Sequence, residues 1–303
     1  MAQKDITQKI LESYNDVFAD ILNVLLFHGE QIVKPEELVD QTPRAVFKAD
    51  GQVREIERDV AKRWIQNNVR IACIGLENQT SVDPFMPLRV MGYDGVEYRT
   101  QLRELKAGQK PSPVITLVLY FGYKGHWKAP LSLVEALEVP EILRPYVTDV
   151  KVNLFEIAYL SWEQVNLFRS DFREVARYFV QMRENGDYHP SDHEMKHIEA
   201  VMQLLNVMDR DSRFQTAINN RTGQKEVKKM SEWLTRVLNE SESKGMEKGL
   251  EKGAIQTLWS LVNDGLLTLE VAASRAGLSE KEFQARAAAL MSESTSEYDQ
   301  EKN

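Results

Sequence analysis

The chain has 303 residues, of which 43% are apolar and 28% charged, a balance that is typical of globular proteins and excludes fibrous or wholly disordered chains. Its single cysteine, Cys73, cannot form an internal disulfide. No signal peptide is predicted, and the longest apolar runs fall far short of the ~20 residues of a membrane span. We therefore expect a cytoplasmic protein with no membrane partner. The net charge of −8 disfavours a protein that coats nucleic acid over its whole surface.

Strands and helices alternate in the prediction for the first 160 residues. The first helix has apolar side chains every three or four positions, and the strands are rich in β-branched and apolar residues. The Asp50-Gly51 pair predicts a tight turn between two extended segments. In chain order, these elements are a helix at 6–26, extended segments within 44–64, a strand at 69–79, a helical segment at 86–106, and strands at 114–121 and 153–160. This order indicates an α/β fold.

The second half of the chain has a helical pattern, with predicted helices at 163–185, 192–218 and 225–240. A Lys-Gly pair then recurs every four residues within 243–253, and each glycine weakens a helix by ~1 kcal/mol relative to alanine. We therefore expect a hinge or a loosely helical linker there. The predicted domains are a core at 1–165, a helical extension at 166–240, the hinge at 241–254, a small helical unit at 255–290 and a disordered acidic tail at 291–303.

Two carboxylates and an amide in the first half are candidates for a metal site. Glu77 and Gln79 are two residues apart on a predicted strand, so their side chains point the same way, and Asp59 precedes them on a predicted neighbouring strand. Paired carboxylates suit Mg²⁺, which also keeps several waters and binds substrate phosphates. On spacing alone, a solvated surface position is the alternative interpretation for each of these residues.

The first predicted helix offers a further carboxylate. With ~100° per residue, Asp16 falls almost opposite the apolar stripe, whereas Asp20 lies at its flank, where a side chain can reach the edge of the core. Asp20 is therefore the better candidate for the site, and Asp16 is assigned to the solvated face.

Four segments in the first half carry a resemblance to a known family. They read YNDVFADILNVLLFHGEQIVKPEEL, REIERDVAKRW, IACIGLENQTSVDPFMPLRVMGYDGVEYRTQL and VITLVLYFGYKGHWKAP. In this order they resemble the Rpn family of recombination-promoting nucleases, also labelled transposases, within the PD-(D/E)XK nuclease superfamily. The resemblance covers most of residues 8–165 and recurs at 240–285, where the Lys-Gly repeat is followed by a short helical unit.

This resemblance implies a fold, an activity and a set of site residues. The fold would be a PD-(D/E)XK-like core with a mixed sheet flanked by helices, and the activity a metal-dependent DNA endonuclease that promotes recombination. Asp59 and Glu77 would hold the metal, which would be Mg²⁺, with Mn²⁺ or Ca²⁺ as alternatives. Gln79 would occupy the lysine position of the superfamily, and Asp20 the acidic position on the first helix.

Gln79 is a departure from the superfamily pattern. A lysine there can orient the attacking water and stabilise the developing negative charge, whereas glutamine offers only a neutral hydrogen bond. A non-catalytic DNA-binding or regulatory relative therefore stays open as an alternative. Nearby basic residues are candidate phosphate contacts, with solvated surface as the alternative for each. These are Arg89, Lys106, Lys124 and Lys128.

A second candidate site is the HEMKH sequence at 193–197. On a helix, His193 and His197 would face one side and could bind zinc, with Glu194 as general base of a peptidase. The competing explanation is a capping box. In it, the Ser191 side chain accepts the backbone N–H of Glu194, and the Glu194 side chain accepts the backbone N–H of Ser191.

Residues 269–283 form a third candidate, since two short predicted helices joined at 276–279 resemble a helix-turn-helix. The second helix offers Lys281, Gln284 and Arg286 to a DNA groove. The alternative is an interaction or oligomerisation hairpin capped by Ser279, and we expect any homo-oligomer to form through this helical region.

Overall fold

The structure is a computed structural model that describes residues 11–41, 44–49, 52–57, 59–209, 214 and 228–300. The chain forms two compact units, Met1–Leu234 and Thr235–Asn303. The finer division predicted at residues 165 and 240 stays a prediction. No helix in the described ranges is long and apolar enough to cross a membrane.

A mixed five-stranded sheet forms the centre of the first unit. Its strand order is β1-β4-β5-β6-β7, in which β1, β4 and β5 are antiparallel neighbours and β5, β6 and β7 are parallel neighbours. The strands of the unit are β1 (Leu38–Asp40), β2 (Arg44–Ala49), β3 (Gln52–Glu57), β4 (Val60–Gln66), β5 (Val69–Gln79), β6 (Val114–Tyr120) and β7 (Asn153–Glu156). Strands β2 and β3 form a separate hairpin.

The helices flank the sheet and continue beyond it, which confirms the predicted α/β fold with a helical C-terminal region. They are α1 (Asn15–Leu25), α2 (Met86–Glu104), α3 (Leu133–Ala136), α4 (Trp162–Leu167), α5 (Phe172–Asn185), α6 (Ile198–Asp209), α7 (Met230–Asn263), α8 (Leu269–Arg275) and α9 (Glu280–Gln300). Short 3₁₀ turns lie at Pro35–Glu37, Glu141–Tyr146 and Ile157–Tyr159.

Helices α1 and α2 cover opposite faces of the sheet. Lys62 of β4 donates to the backbone carbonyl of Ser13, 2.7 Å away, and its amine lies 5.6 Å from the Phe18 ring centroid of α1. On the other face, the Gln101 amide of α2 lies 3.5 Å from Sγ of Cys73 in β5. Because both faces are covered, the inner strand β6 is mostly apolar, and Leu117, Val118 and Leu119 are fully buried.

Three predicted elements differ in their bounds from the pattern. The strand predicted at 153–160 stops at Glu156 and passes into the 3₁₀ turn Ile157–Tyr159. The helix predicted at 163–185 is two helices, α4 and α5, because Phe168 and Phe172 are both buried and the backbone between them turns. The helix predicted at 192–218 begins only at Ile198, and residues 210–213 and 215–218 lie outside the described ranges.

The predicted turn at Asp50-Gly51 lies outside the described residues, but the strands on either side of it are described. Strands β2 and β3 pair antiparallel, with Ala49 opposite Gln52.

The second unit consists of helices around a small apolar core. Phe283 is fully buried, and its ring centroid lies 6.0 Å from that of Trp259. Helices α8 and α9 are joined by a turn in which Gly277 has a φ of +68°. Ser279 caps α9 as predicted, since its hydroxyl accepts the N–H of Glu282 and the Glu282 carboxylate accepts the N–H of Ser279. The remaining core residues are Ile255, Ala272, Ala273, Ala287 and Leu290.

The Lys-Gly segment, predicted to be a hinge or loosely helical linker, lies inside the continuous helix α7. Each glycine costs about 1 kcal/mol, but the Lys, Glu, Met and Leu residues between the glycines are strong helix formers. The acidic tail also differs from its prediction, since α9 continues through Gln300. Residues 301–303 lie outside the described ranges.

Candidate active site

Asp59 and Glu77 lie side by side at one end of the β4–β5 pair. Val60, the first residue of β4, is paired with Leu76 of β5. Asp59, which directly precedes β4, is therefore brought next to Glu77. The Asp59 carboxylate accepts a hydrogen bond of 2.7 Å from the backbone N–H of Asn78. The antiparallel register therefore brings together the two carboxylates that the sequence places on neighbouring strands.

Glu77 is the more buried of the two carboxylates, with only 2% of the residue exposed. Its Oε1 atom accepts hydrogen bonds from the Gln79 amide, 3.1 Å away, and from the Arg89 guanidinium. Although burial disfavours the charged guanidinium, Glu77 raises the pKa of Arg89 above its ordinary value. A charged arginine thus compensates much of the cost of burying this carboxylate.

Gln79 ends β5 and stands beside Glu77, on the same face of the strand. Its backbone carbonyl accepts the N–H of Phe121, 2.8 Å away, which fixes the end of β5 against the residue after β6. Its side chain brings a neutral amide to the position where a lysine would bring a charge.

Glu12 is a third carboxylate at the site that the sequence interpretation missed. It is 1% exposed, and its Oε2 atom accepts a hydrogen bond of 2.6 Å from the side-chain amide of Asn78. Its other oxygen, Oε1, is buried without a hydrogen-bond partner. Burial, reinforced by the negative charges of Asp59 and Glu77, raises the pKa of Glu12 to about 8.

The helical phase explains why no sequence signal marks Glu12. On one continuous helix with ~100° per residue, Glu12 would lie nearly opposite the apolar stripe that contains Phe18. The backbone of Tyr14 is extended, with φ −69° and ψ 129°, so residues 11–13 form a helical turn with a phase of their own. This interruption turns Glu12 toward the sheet.

Asp20 lies in a different environment from the one predicted. It is 5% exposed, and its Oδ2 atom accepts the backbone N–H groups of Arg169 and Ser170, at 2.8 and 2.7 Å. Burial, which outweighs these hydrogen bonds, raises the pKa of Asp20 above its ordinary value. Its described contacts thus connect α1 to the turn before α5, and the structure places Glu12, not Asp20, beside Asn78.

The oxygen donors at this site fit a hard divalent cation that keeps part of its water shell. Asp59 and Glu77 bring two carboxylates together and their negative charges act on nearby Glu12, so a bound cation would relieve this repulsion. In the part of the chain that the structure describes, no three His, Cys, Asp or Glu side chains are grouped so as to enclose an ion by themselves. The arrangement therefore suits Mg²⁺, which binds through one or two carboxylates, waters and substrate phosphates.

The family of the chain follows from a sequence match. Residues 66–219, just over half of the chain, match the family described as "Putative transposase, YhgA-like". The chain belongs to this family. The membership confirms the resemblance to a transposase family that the sequence motifs carry. No curated protein and no solved structure matched the chain.

The region shared with the YhgA-like family includes only part of the site. Glu77, Gln79 and Arg89 lie within the matched residues, whereas Glu12 and Asp59 precede them. The shared region also contains β6, β7 and most of the helices of the first unit. The family match therefore covers β5 and α2, whereas the carboxylates on the N-terminal side rest on the geometry alone.

The HEMKH segment does not form the helix that a zinc peptidase needs. Helix α6 begins at Ile198, and residues 191–197 precede it as irregular chain. The His197 ring stacks on Tyr14 with centroids 3.7 Å apart, and its Nε2 atom lies 3.1 Å from a carboxylate oxygen of Asp16. The predicted zinc arrangement is wrong, because the HExxH pattern needs both histidines and the glutamate on one helix and this segment is not helical.

The predicted capping box at Ser191 is also wrong. The carboxylate of Asp171 accepts the N–H groups of Lys196 and His197 at the start of α6, so it takes the role that the sequence assigns to Ser191. Ser191 instead donates its hydroxyl to buried Glu174, 2.6 Å away. These long-range contacts fix the segment as a partly buried connection between α5 and α6.

Proposed function

We propose that this protein is a metal-dependent DNA endonuclease that hydrolyses phosphodiester bonds and promotes recombination. The observation that carries the proposal is the pairing of Asp59 with Glu77 at the end of a mixed sheet in a chain of the YhgA-like transposase family. Transposition requires breakage of DNA strands, and two adjacent carboxylates are the minimal protein part of a magnesium site for phosphoryl transfer.

Asp59 and Glu77 would hold the cation, which we expect to be Mg²⁺, with Mn²⁺ or Ca²⁺ as alternatives. Such an ion, when bound, polarises a phosphoryl oxygen and lowers the pKa of a bound water. The Asn78 backbone N–H orients Asp59 through its 2.7 Å hydrogen bond. Gln79 orients Glu77 and offers a neutral hydrogen bond to the attacking water.

DNA as the partner is supported by the family and by the local charge around the site. The chain as a whole carries −8, so favourable contact with phosphates has to come from local groups. Lys124 and Lys128 are exposed in the segment that follows β6, and β6 ends beside the end of β5 in a parallel pair. These cations and Arg89 therefore lie toward the same edge of the sheet as Gln79.

The test is cleavage of supercoiled plasmid by the purified chain with Mg²⁺, Mn²⁺, Ca²⁺ or a chelator. We expect nicking that needs a divalent cation and that falls by about 100-fold or more in Asp59→Asn and Glu77→Gln, since each removes a metal ligand. Glu163→Gln is the matched control, because Glu163 is an exposed carboxylate on α4. Equal cleavage in all four proteins would contradict the proposal, and thermal unfolding establishes that each variant is folded.

Gln79 also favours a second candidate, a DNA-binding or regulatory relative without turnover. A neutral amide does not stabilise the negative charge of the transition state as a lysine does. This candidate predicts that the unmodified chain retains DNA in a gel-shift experiment and cleaves none with any of the three cations. In that case Glu77→Gln should change DNA retention only to the extent that it changes metal binding.

A further inference from the structure

Arg89 reaches the site from the helix on the opposite side of Glu77. It lies in the first turns of α2, and its Nη2 atom donates to Oε1 of Glu77 and to the hydroxyl of Tyr93, 3.1 Å away. Its Nη1 atom donates to Oδ2 of Asp83, at 3.0 Å. Asp83 is itself fixed, because its other oxygen accepts the N–H of Phe85 at 2.9 Å.

In the ion pair of Arg89 with Glu77, the cation is the more exposed partner. The Arg89 side chain is 41% exposed, whereas the Glu77 side chain is 2% exposed. In the pair of Lys62 with Asp40, by contrast, the cation is completely buried. The guanidinium therefore stands at the mouth of the site, where a phosphate can reach it without a change in the fold.

Arg89 and a divalent cation would compete for the negative charge of Glu77. The oxygen that accepts from Arg89 also accepts from Gln79, so it is already shared by two donors. A divalent cation on Glu77 weakens the attraction of this carboxylate for the guanidinium and repels it. Asp83 and Tyr93, which accept hydrogen bonds from the same guanidinium, would still hold Arg89 near the site.

We infer that Arg89 is a phosphate-binding cation of this site, which pairs with Glu77 in the metal-free protein and turns to the DNA phosphate once Glu77 binds a divalent cation. This inference rests on the proposed function. It assigns to α2 the positive charge that Gln79 does not bring at the end of β5. The planar guanidinium suits the task, because its donors match two phosphate oxygens at once.

Two measurements on the full chain test this inference. One is Mn²⁺ affinity, followed by the electron paramagnetic resonance of free Mn²⁺ without DNA, and the other is plasmid nicking at saturating Mn²⁺. The variants are Arg89→Gln, Arg89→Lys and Asp83→Asn. Arg99→Gln is the matched control, because it removes the same charge from an exposed position on the same helix.

Arg89→Gln should bind Mn²⁺ several-fold more tightly than the unmodified chain, since the competing cation is gone, and should nick about 100-fold more slowly. Arg89→Lys should recover part of the nicking rate because it restores the charge without the planar fork. Asp83→Asn should bind Mn²⁺ normally and raise the DNA concentration needed for half-maximal rate, since it leaves Arg89 less well positioned. Arg99→Gln should match the unmodified chain in both measurements.

Failure of the inference and failure of the proposed function give different results. Nicking by Arg89→Gln at the unmodified rate, or loss of both Mn²⁺ binding and nicking in this variant, overturns the role of Arg89 while the nuclease stands. If no protein nicks DNA, the nuclease proposal fails. The Mn²⁺ titration then decides alone: tighter binding by Arg89→Gln than by Arg99→Gln supports the exchange at Glu77, and equal or absent binding overturns it.

Discussion

The carboxylate of Asp20 accepts a hydrogen bond of 2.7 Å from the backbone N–H of Ser170, 150 residues further along the chain. Asp20 belongs to α1, and Ser170 lies in the turn that separates α4 from α5. A second hydrogen bond, from the N–H of Arg169, completes the cap of this partly buried turn. The contact connects the N-terminal helix to the helical part of the first unit.

Asp20→Ala should therefore lower the free energy of unfolding without removing a group that binds metal or DNA. Loss of the carboxylate leaves two N–H groups of a partly buried turn without their acceptor, which should reduce the free energy of unfolding by about 1–3 kcal/mol. Urea denaturation measures this loss. Asp20→Asn should lose less, because the amide oxygen still accepts.

Mn²⁺ affinity and nicking should be unchanged in Asp20→Asn at a temperature at which the protein is folded. A folded Asp20→Asn protein that binds no metal would instead return Asp20 to the site, as the sequence resemblance implies.

Glu12 can be tested by separating its charge from its hydrogen bond. Glu12→Gln keeps an oxygen that accepts from Asn78, whereas Glu12→Ala removes it and leaves a buried amide unpaired. We expect both variants to bind Mn²⁺ about 10-fold more weakly, because both remove a carboxyl group beside Asp59 and Glu77. Only Glu12→Ala should be clearly less stable in urea.

The control for Glu12 is Glu163→Gln, which removes an exposed carboxyl group of the same unit. If Glu12→Gln binds Mn²⁺ as tightly as this control does, Glu12 holds Asn78 in place and contributes nothing to the metal site.

The position of Gln79 predicts a rescue experiment. The Gln79 amide lies 3.1 Å from Glu77, so a lysine there would bring an ammonium group next to the same carboxylate as Arg89. Adding Gln79→Lys to Arg89→Gln should recover at least about 10-fold in nicking rate, since the charge returns from the other side of Glu77. The same nicking rate in the double variant as in Arg89→Gln would show that charge at this position has no effect.

The contact of Asp16 with His197 predicts that the unmodified chain and Asp16→Asn differ in stability at acid pH. Although partial burial opposes it, the hydrogen bond and charge of His197, aided by Lys196, hold the pKa of Asp16 below its ordinary value of 3.8. A carboxyl group whose pKa is lowered by folding stabilises the protein above its unfolded pKa, and this contribution is lost as the pH falls through the folded pKa. Between pH about 5 and about 3, the unmodified chain should thus lose more stability than Asp16→Asn.

Urea denaturation of both proteins across this range measures the difference. Asp20 and Asp171 have raised pKa values and act with the opposite sign, but both proteins contain them, so the comparison isolates Asp16. Parallel loss of stability in the two proteins would mean that the Asp16–His197 contact does not hold in solution.

The small core of the second unit predicts local unfolding. Phe283 is fully buried against Trp259, and Phe283→Ala should destabilise this unit by about 3–5 kcal/mol. Hydrogen exchange should become faster in peptides from α8 and stay unchanged in peptides from β6. Leu266→Ala is the control, because Leu266 is 69% exposed. Faster exchange in both sets of peptides would show that the chain unfolds as one body.

The local pattern of the sequence was sufficient for most strands of the sheet and for the placement of three candidate site residues. The strand predicted at 69–79 has the same bounds as β5, and the helical segment predicted at 86–106 corresponds to α2. Glu77 and Gln79 share a face because strand side chains alternate, and Asp59 joins them through the pairing of adjacent strands. Each of these inferences depends on neighbours along the chain or on one short β connection.

The roles of Glu12, Arg89, Asp20 and His197 depended on the tertiary structure. Asn78 binds Glu12 from 66 positions away, and His197 reaches Asp16 across 181 positions. A bend at Tyr14 changes the phase of the first helix, and Asp171 caps α6 in place of the residue next to it in sequence. Periodicity determines which face of an element is apolar, but the partner of a buried charge is set by how the elements pack, because only packing brings distant donors and acceptors within hydrogen-bond distance.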